Sequence, residues 1–172
     1  MVKNKLRFCL SCLVMAAVAL VPLLAMEPTP IPNTLHLTSL DGQTVNSDHL
    51  PNQGNWLLFY VNPQSHFSDE MLRVLQKGLN PNSVASAVII VGGTLDDLKT
   101  FRAKYPDLGG AVWYADTNRD AFTQLKLHGV PVVVGVRDQT MRWAVNGMLP
   151  DAASFKSMVN SWVEQRPPAK AS

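Results

Sequence analysis

Two runs of apolar residues constrain this chain more than anything else in it. Trp56 to Val61 reads WLLFYV, and Ala87 to Val91 reads AVIIV. Neither alternates with polar residues. A strand with one wet face alternates, so unbroken runs of this length mark strands covered on both sides. The cover has to come from helices. The intervening segments supply them. Phe67, Met71, Val74 and Leu75 recur at helical spacing, which predicts a helix over Ser68–Gly78 with Ser65 or Ser68 as its cap. Thr94 and Asp97 resemble a capping box with Asp in place of Glu. Leu95, Leu98 and Phe101 follow on one helical face, ended by Pro106. Ala111–Ala115 reads as a strand, and Arg119–Leu127 as a helix stopped at Gly129. Val130–Val136 and Met141–Val145 are further strands, the second ended by Asn146-Gly147. Phe155, Met158, Val159, Trp162 and Val163 form an apolar helical stripe. Upstream, Leu35, Leu37 and Leu40 lead into a turn at Asp41-Gly42, and Val45 and Leu50 continue. This alternation predicts one α/β domain: a central mixed β-sheet flanked by helices on both faces.

The N-terminus follows a different pattern. Lys3, Lys5 and Arg7 precede an uncharged apolar run, Phe8 to Leu24, which closes at the small Ala25. This is the layout of a secretory signal peptide over residues 1–25. The alternative is an uncleaved inner-membrane anchor, since the run approaches the ~18 residues a span needs. The expected division is then a signal peptide (1–25), an extended Pro-rich leader (26–33), the domain (34–165) and a disordered tail (166–172). The mature chain is expected in the periplasm or outside the cell. Its only membrane contact would be an uncleaved signal.

Removing the signal changes both charge and chemistry. The full chain carries fifteen basic and thirteen acidic residues, and three of the basic ones lie in the signal. The remainder has a net charge of −1, with no basic stripe, so nucleic acid is not an expected partner. Both cysteines, Cys9 and Cys12, also lie in the signal. The domain beyond it can form no disulfide and can run no thiolate chemistry.

Three stretches carry a resemblance. LHLTSLDGQTVNSDHL looks like an opening hairpin with a short helix. NWLLFYVNPQSHFSDEML looks like a core strand entering an active-site helix. LKLHGVPVVVGVRDQTMRWAVNGM looks like a Gly-Val-Pro loop and the hairpin after it. In order and spacing they resemble the thioredoxin-like superfamily, in its TlpA-like, thiol–disulfide interchange branch. The likeness runs from about Leu35 to Val163. It implies a thioredoxin-like fold and a cis Val130–Pro131 bond beside the active-site helix. The family commonly reads Trp-Cys-x-x-Cys-x-x-Glu-Met at the helix start. Glu70-Met71 matches its end, so Pro63 falls at the tryptophan, Gln64 at the first cysteine and Phe67 at the second. Exchange needs an attacking thiolate and a resolving thiol. Gln and Phe supply neither, so no oxidoreductase activity, no catalytic residue and no cofactor is expected.

What remains is a binding reading. Gln64, Ser65, His66, Phe67, Val130 and Pro131 would line a groove that holds an extended peptide or the edge of an envelope protein. Phe67 has two readings: an aromatic plug filling the place of the lost disulfide, favoured because aromatics dominate core packing, or an exposed apolar contact. Trp143 has the same two, core again favoured. Ser65-His66 is not expected to be a nucleophile and base, because neighbours on a helix diverge. The alternative functions are a metal carrier using His66 and His128, helped by Asp69, and a structural accessory of an envelope assembly for secretion, conjugation or cytochrome maturation. The acids of Asp96-Asp97 and Arg119-Asp120 read as solvated helix-start residues.

Overall fold

The structure, a computed structural model, describes residues 27–147 and 151–165. The segment read as a signal peptide and the tail from 166 lie outside the described residues.

Eight strands form one sheet: β1 (Thr29–Pro30), β2 (His36–Ser39), β3 (Thr44–Asn46), β4 (Asn55–Val61), β5 (Ala87–Val91), β6 (Val112–Ala115), β7 (Val132–Arg137) and β8 (Thr140–Asn146). Their order across the sheet is β1-β8-β7-β4-β5-β6-β2-β3. The three strands β4, β5 and β6 run parallel, β7 is antiparallel to β4, and β8 is antiparallel to β7. The sheet is therefore mixed, as the sequence predicts. The two apolar runs occupy its centre and are buried at nearly every position.

Five helices pack on it: α1 (His66–Gln76), α2 (Pro81–Ala85), α3 (Leu95–Lys104), α4 (Asp120–Gln124) and α5 (Ala152–Glu164). Side-chain alternation along β4 splits the core. Leu57, Phe59 and Val61 face a cluster with Met71, Leu72 and Leu75 of α1, Leu98 and Phe101 of α3, and Phe155, Val159 and Trp162 of α5. Trp56, Leu58 and Tyr60 face the other side, where Ala121 of α4 is joined by Ile31, Leu35, Leu50, Leu125 and Leu127 from connecting segments. Helices lie on both faces, but unevenly.

Four local features differ from the sequence reading. The Pro-rich leader contributes β1, which pairs Thr29 with Met141 and Pro30 with Thr140 on the sheet edge. Edge strands tolerate proline because one row of amides needs no partner. The five-residue α2 was not anticipated, being too short for periodicity to reveal. Pro81 begins it, and the Asn80 carboxamide oxygen accepts from the Ser83 N–H at 2.7 Å. The first helix starts at His66, two residues earlier than the spacing of apolar residues placed it. And α4 ends at Gln124, not Leu127. Lys126 turns left-handed with φ +52°, and the Leu127 N–H reaches back to the Phe122 carbonyl at 3.0 Å. That bond closes the helix and drops Leu127 into the core. His128 therefore sits in the following loop, not at a helix C-terminus.

Candidate binding surface at the start of α1

The turn between β4 and α1 is held by its own side chains. The Asn62 carboxamide oxygen accepts from the Gln64 N–H at 2.8 Å, and the Asn62 carbonyl from the Ser65 N–H at 2.9 Å. Pro63 takes the turn position where its fixed φ is favourable. Ser65 is the helix cap, accepting from the Ser68 N–H at 3.4 Å. Ser68 is not a second cap. It is fully buried, and its hydroxyl accepts from the Asn62 N–H at 3.0 Å. Asn62 is thus a positioning residue that the sequence reading passed over. The Asn-Pro pair was the available signal, since asparagine side chains bond to the backbone two residues on.

This rigid turn leaves Gln64, His66 and Phe67 in solvent. Phe67 is 63% exposed. The plug reading is overturned. On a helix, residues 68, 71, 72 and 75 share the inward face, and all four are buried. Position 67 lies in the first turn of α1, at the margin of this buried set, and its ring is in solvent. The small Ser68 and its hydrogen bond fill the turn from within. The His66 ring lies against Phe67 with centroids 5.8 Å apart. His66 Nε2 is 4.0 Å from a Glu70 carboxylate oxygen, with the His66 side chain 84% exposed. Trp143, in contrast, is core: it crosses Trp162 edge-on at 5.6 Å.

The second wall is the Val130–Pro131 segment, whose peptide bond is cis. The β4–β7 ladder ends with Tyr60 opposite Val132, so this segment lies beside the chain entering the Asn62–Ser65 turn. Pro131 is buried and Val130 half-buried. The Pro131 carbonyl accepts from the Gly147 N–H at 2.7 Å. Among the described residues, the Val130 N–H and C=O have no hydrogen-bond partner. The exposed His66–Phe67 pair opens the helix that follows β4, and the Val130–Pro131 segment leads into β7, the strand paired with β4.

Two networks, one partly exposed and one buried, brace this end of the sheet. Asp69 joins α1 to α3. Its carboxylate contacts Lys104, accepts from the Tyr105 hydroxyl and meets Arg73 at 2.6 Å. Burial opposes its ionisation, but the Lys104 and Tyr105 hydrogen bonds and the Lys104 and Arg73 charges outweigh that and hold its pKa below the ordinary value. Asp69 is therefore committed away from His66 and His128. Among the described residues no group of three or more His, Cys, Asp or Glu could hold a metal ion.

On the opposite face, Asp116 is 1% exposed. It accepts from the Tyr60 hydroxyl at 2.9 Å and from the Ala121 and Phe122 amides at 3.2 and 3.0 Å. It thereby caps α4 from below, a role the sequence reading did not assign. Burial and the nearby carboxylate push the Tyr60 hydroxyl pKa up. Phe122 packs on Tyr60 at 5.4 Å and carries the Arg119 guanidinium on its ring at 4.4 Å. Of the acids read as solvated, Asp97 completes the Thr94 capping box and Asp120 accepts from the His36 N–H at 2.8 Å.

No protein-family model and no curated protein matches the chain. Solved structures do. DsbF of Mycobacterium tuberculosis, solved in mixed oxidised and reduced forms, superposes with a TM-score of 0.60 at 16% identity, over 77% of this chain and 98% of that one. A secreted M. tuberculosis disulfide oxidoreductase homologous to DsbE of Escherichia coli gives 0.58 at 18% identity, over 76% and 95%. A thiol:disulfide interchange protein from Bacteroides sp. gives 0.62 at 12% identity, over 85% and 95%. Among the described residues there is no cysteine and no helix long and apolar enough to cross a membrane. The mixed sheet and these superpositions together show that the chain has the thioredoxin-like fold, with thiol:disulfide interchange proteins as its structural neighbours.

Proposed function

We propose that this is an exported, redox-inactive thioredoxin-like domain that binds an extended peptide or a protein edge in the bacterial cell envelope. One observation carries the reading: Phe67, aligned by resemblance with the second family cysteine, is exposed with the His66 ring beside it. Among the described residues the Val130 N–H and C=O have no hydrogen-bond partner, so they offer one donor and one acceptor to an incoming strand. Gln64 and Phe67 bring no thiol, so contact with a partner ends in binding and not in exchange. The apolar N-terminal run and the secreted character of one structural neighbour support an exported location.

The test is a crosslinked pull-down from the envelope fraction with wild type and with Phe67→Ala, His66→Ala and Pro131→Ala. The reading expects one partner to be retained by wild type and lost from the Phe67 and Pro131 variants. An identical partner set across all four proteins would count against this surface.

A further inference from the structure

The second wall of the surface ends in a chemically reactive pair. Asn146 is the one asparagine in the chain followed by glycine. It closes β8 and is exposed. A glycine has no Cβ to hinder its backbone nitrogen, so that nitrogen can reach the side-chain amide carbon of the preceding asparagine. What sets this pair apart from a free Asn-Gly loop is where the nitrogen points. Gly147 has φ +78°, and its N–H is donated to the Pro131 carbonyl at 2.7 Å.

We propose that Asn146 is a self-modification site, gated by the Gly147–Pro131 hydrogen bond. When the bond opens and the Gly147 nitrogen loses its proton to hydroxide, that nitrogen attacks Asn146 Cγ. A new C–N bond closes a five-membered imide, and the Cγ–Nδ2 bond breaks as the departing nitrogen takes a proton from water, so that ammonia leaves and the hydroxide is regenerated. Water then opens the imide at either carbonyl. One product is an aspartate on the normal chain. The other is an isoaspartate, with the main chain routed through Cβ and Cγ. Nothing is oxidised or reduced, and hydroxide and water are the only co-reactants. Either product adds a negative charge beside Pro131. The isoaspartate also lengthens the chain by one atom ahead of Gly147, so its N–H no longer meets the Pro131 carbonyl in the same register. The chemistry stands without the binding reading. Only its effect on partner affinity rests on that reading.

The gate has a size. A backbone hydrogen bond is worth a net ~0.5–1.5 kcal/mol, which corresponds to roughly two- to tenfold protection of the nitrogen. Local openings of this kind occur without global unfolding. The experiment incubates the folded protein, and the same chain in urea, at mildly alkaline pH, and follows tryptic peptides by mass. The peptide Trp143–Lys156 contains one asparagine, Asn146, so its acidic form reports this site alone. The expected result is that Asn146 converts before any other asparagine in the folded protein. Its rate should be about two- to tenfold below that in urea, the range one such bond sets. An isoaspartyl methyltransferase should label the product, and Asn146→Gln should abolish the label. Conversion as fast folded as unfolded would overturn the gate. No conversion in the folded protein once the urea sample is complete, or earlier conversion elsewhere, would overturn the site. Binding lost from Phe67→Ala but unchanged by conversion would overturn the coupling while leaving the binding surface intact.

Discussion

Phe67 and Trp143 were open to the same two readings from sequence, and the structure separates them. Phe67→Ala removes a ring already in water, so the unfolding midpoint in urea should stay within about 0.5 kcal/mol of wild type. Trp143→Ala empties a core position and should cost about 3–5 kcal/mol in the same measurement. A large loss from Phe67→Ala would return the ring to the core. Gly135 offers a sharper test of the Trp143 placement. A Cβ there would meet Trp143 Cε2 at 2.1 Å and Nε1 at 2.2 Å. Gly135→Ala should therefore displace the ring from Trp162, costing about 1–3 kcal/mol by overpacking and altering the near-ultraviolet circular dichroism. At this scale the sequence was a partial guide. A mid-strand glycine does not say which aromatic covers it. The direction of Phe67 depends on the helix phase, which Ser68, a small polar residue on the buried face, conceals from a search for apolar spacing.

Between elements, the Asp69 cluster ties α1 to α3. Its folded-state pKa lies below the ordinary 3.8. The unfolded chain therefore takes up this proton first as the solution is acidified. The stabilisation is fully present above about pH 4, near the reference carboxylate value, and is lost as pH falls through the folded pKa. Asp69→Asn should lower stability at neutral pH by about 1–2 kcal/mol, given that its cationic partners are half-exposed. Urea midpoints between neutral and acid pH should also fall less steeply than in wild type. A parallel pH profile would show that the cluster contributes nothing. On the other face, Asp116→Ala strands the Tyr60 hydroxyl and two α4 amides. Each buried orphan costs about 1–3 kcal/mol, and α4 should lose amide protection ahead of the sheet. Hydrogen exchange that leaves the Ala121 and Phe122 amides unchanged would contradict the capping role. The strands and long helices were legible from periodicity. The bracing between them was not, because Asp69 meets Lys104 and Tyr105 across 35 and 36 residues of chain, and no local pattern encodes such a pairing.

At the scale of the molecule, the leader is part of the fold. Ile31 is buried, and its N–H is donated to the Gln139 carbonyl at 2.8 Å. A chain begun at residue 34 should be less stable than one begun at residue 26, with Ile31 alone contributing about 1.5–3 kcal/mol. Equal thermal midpoints would show that the leader is dispensable. The central sheet with helices on both faces was legible in the alternation of apolar runs with helical stripes, but the order of its strands was not. The binding surface was legible only in part. The absence of thiols at Gln64 and Phe67 is plain in the sequence. The placement of the Val130–Pro131 segment depends on how β7 meets β4 and on the Gly147 bond to Pro131, contacts that no local pattern encodes.

The most direct measurement places a photoreactive side chain at position 67, with a control at Thr44 on the far edge of the sheet, and irradiates intact cells that produce the protein. The account expects a discrete adduct of fixed mass from position 67, absent from position 44 and formed equally with or without a thiol reductant. Adducts no more frequent at 67 than at 44 would contradict a binding surface at the start of α1. An adduct that appears only under oxidising conditions would contradict a partner held without redox chemistry.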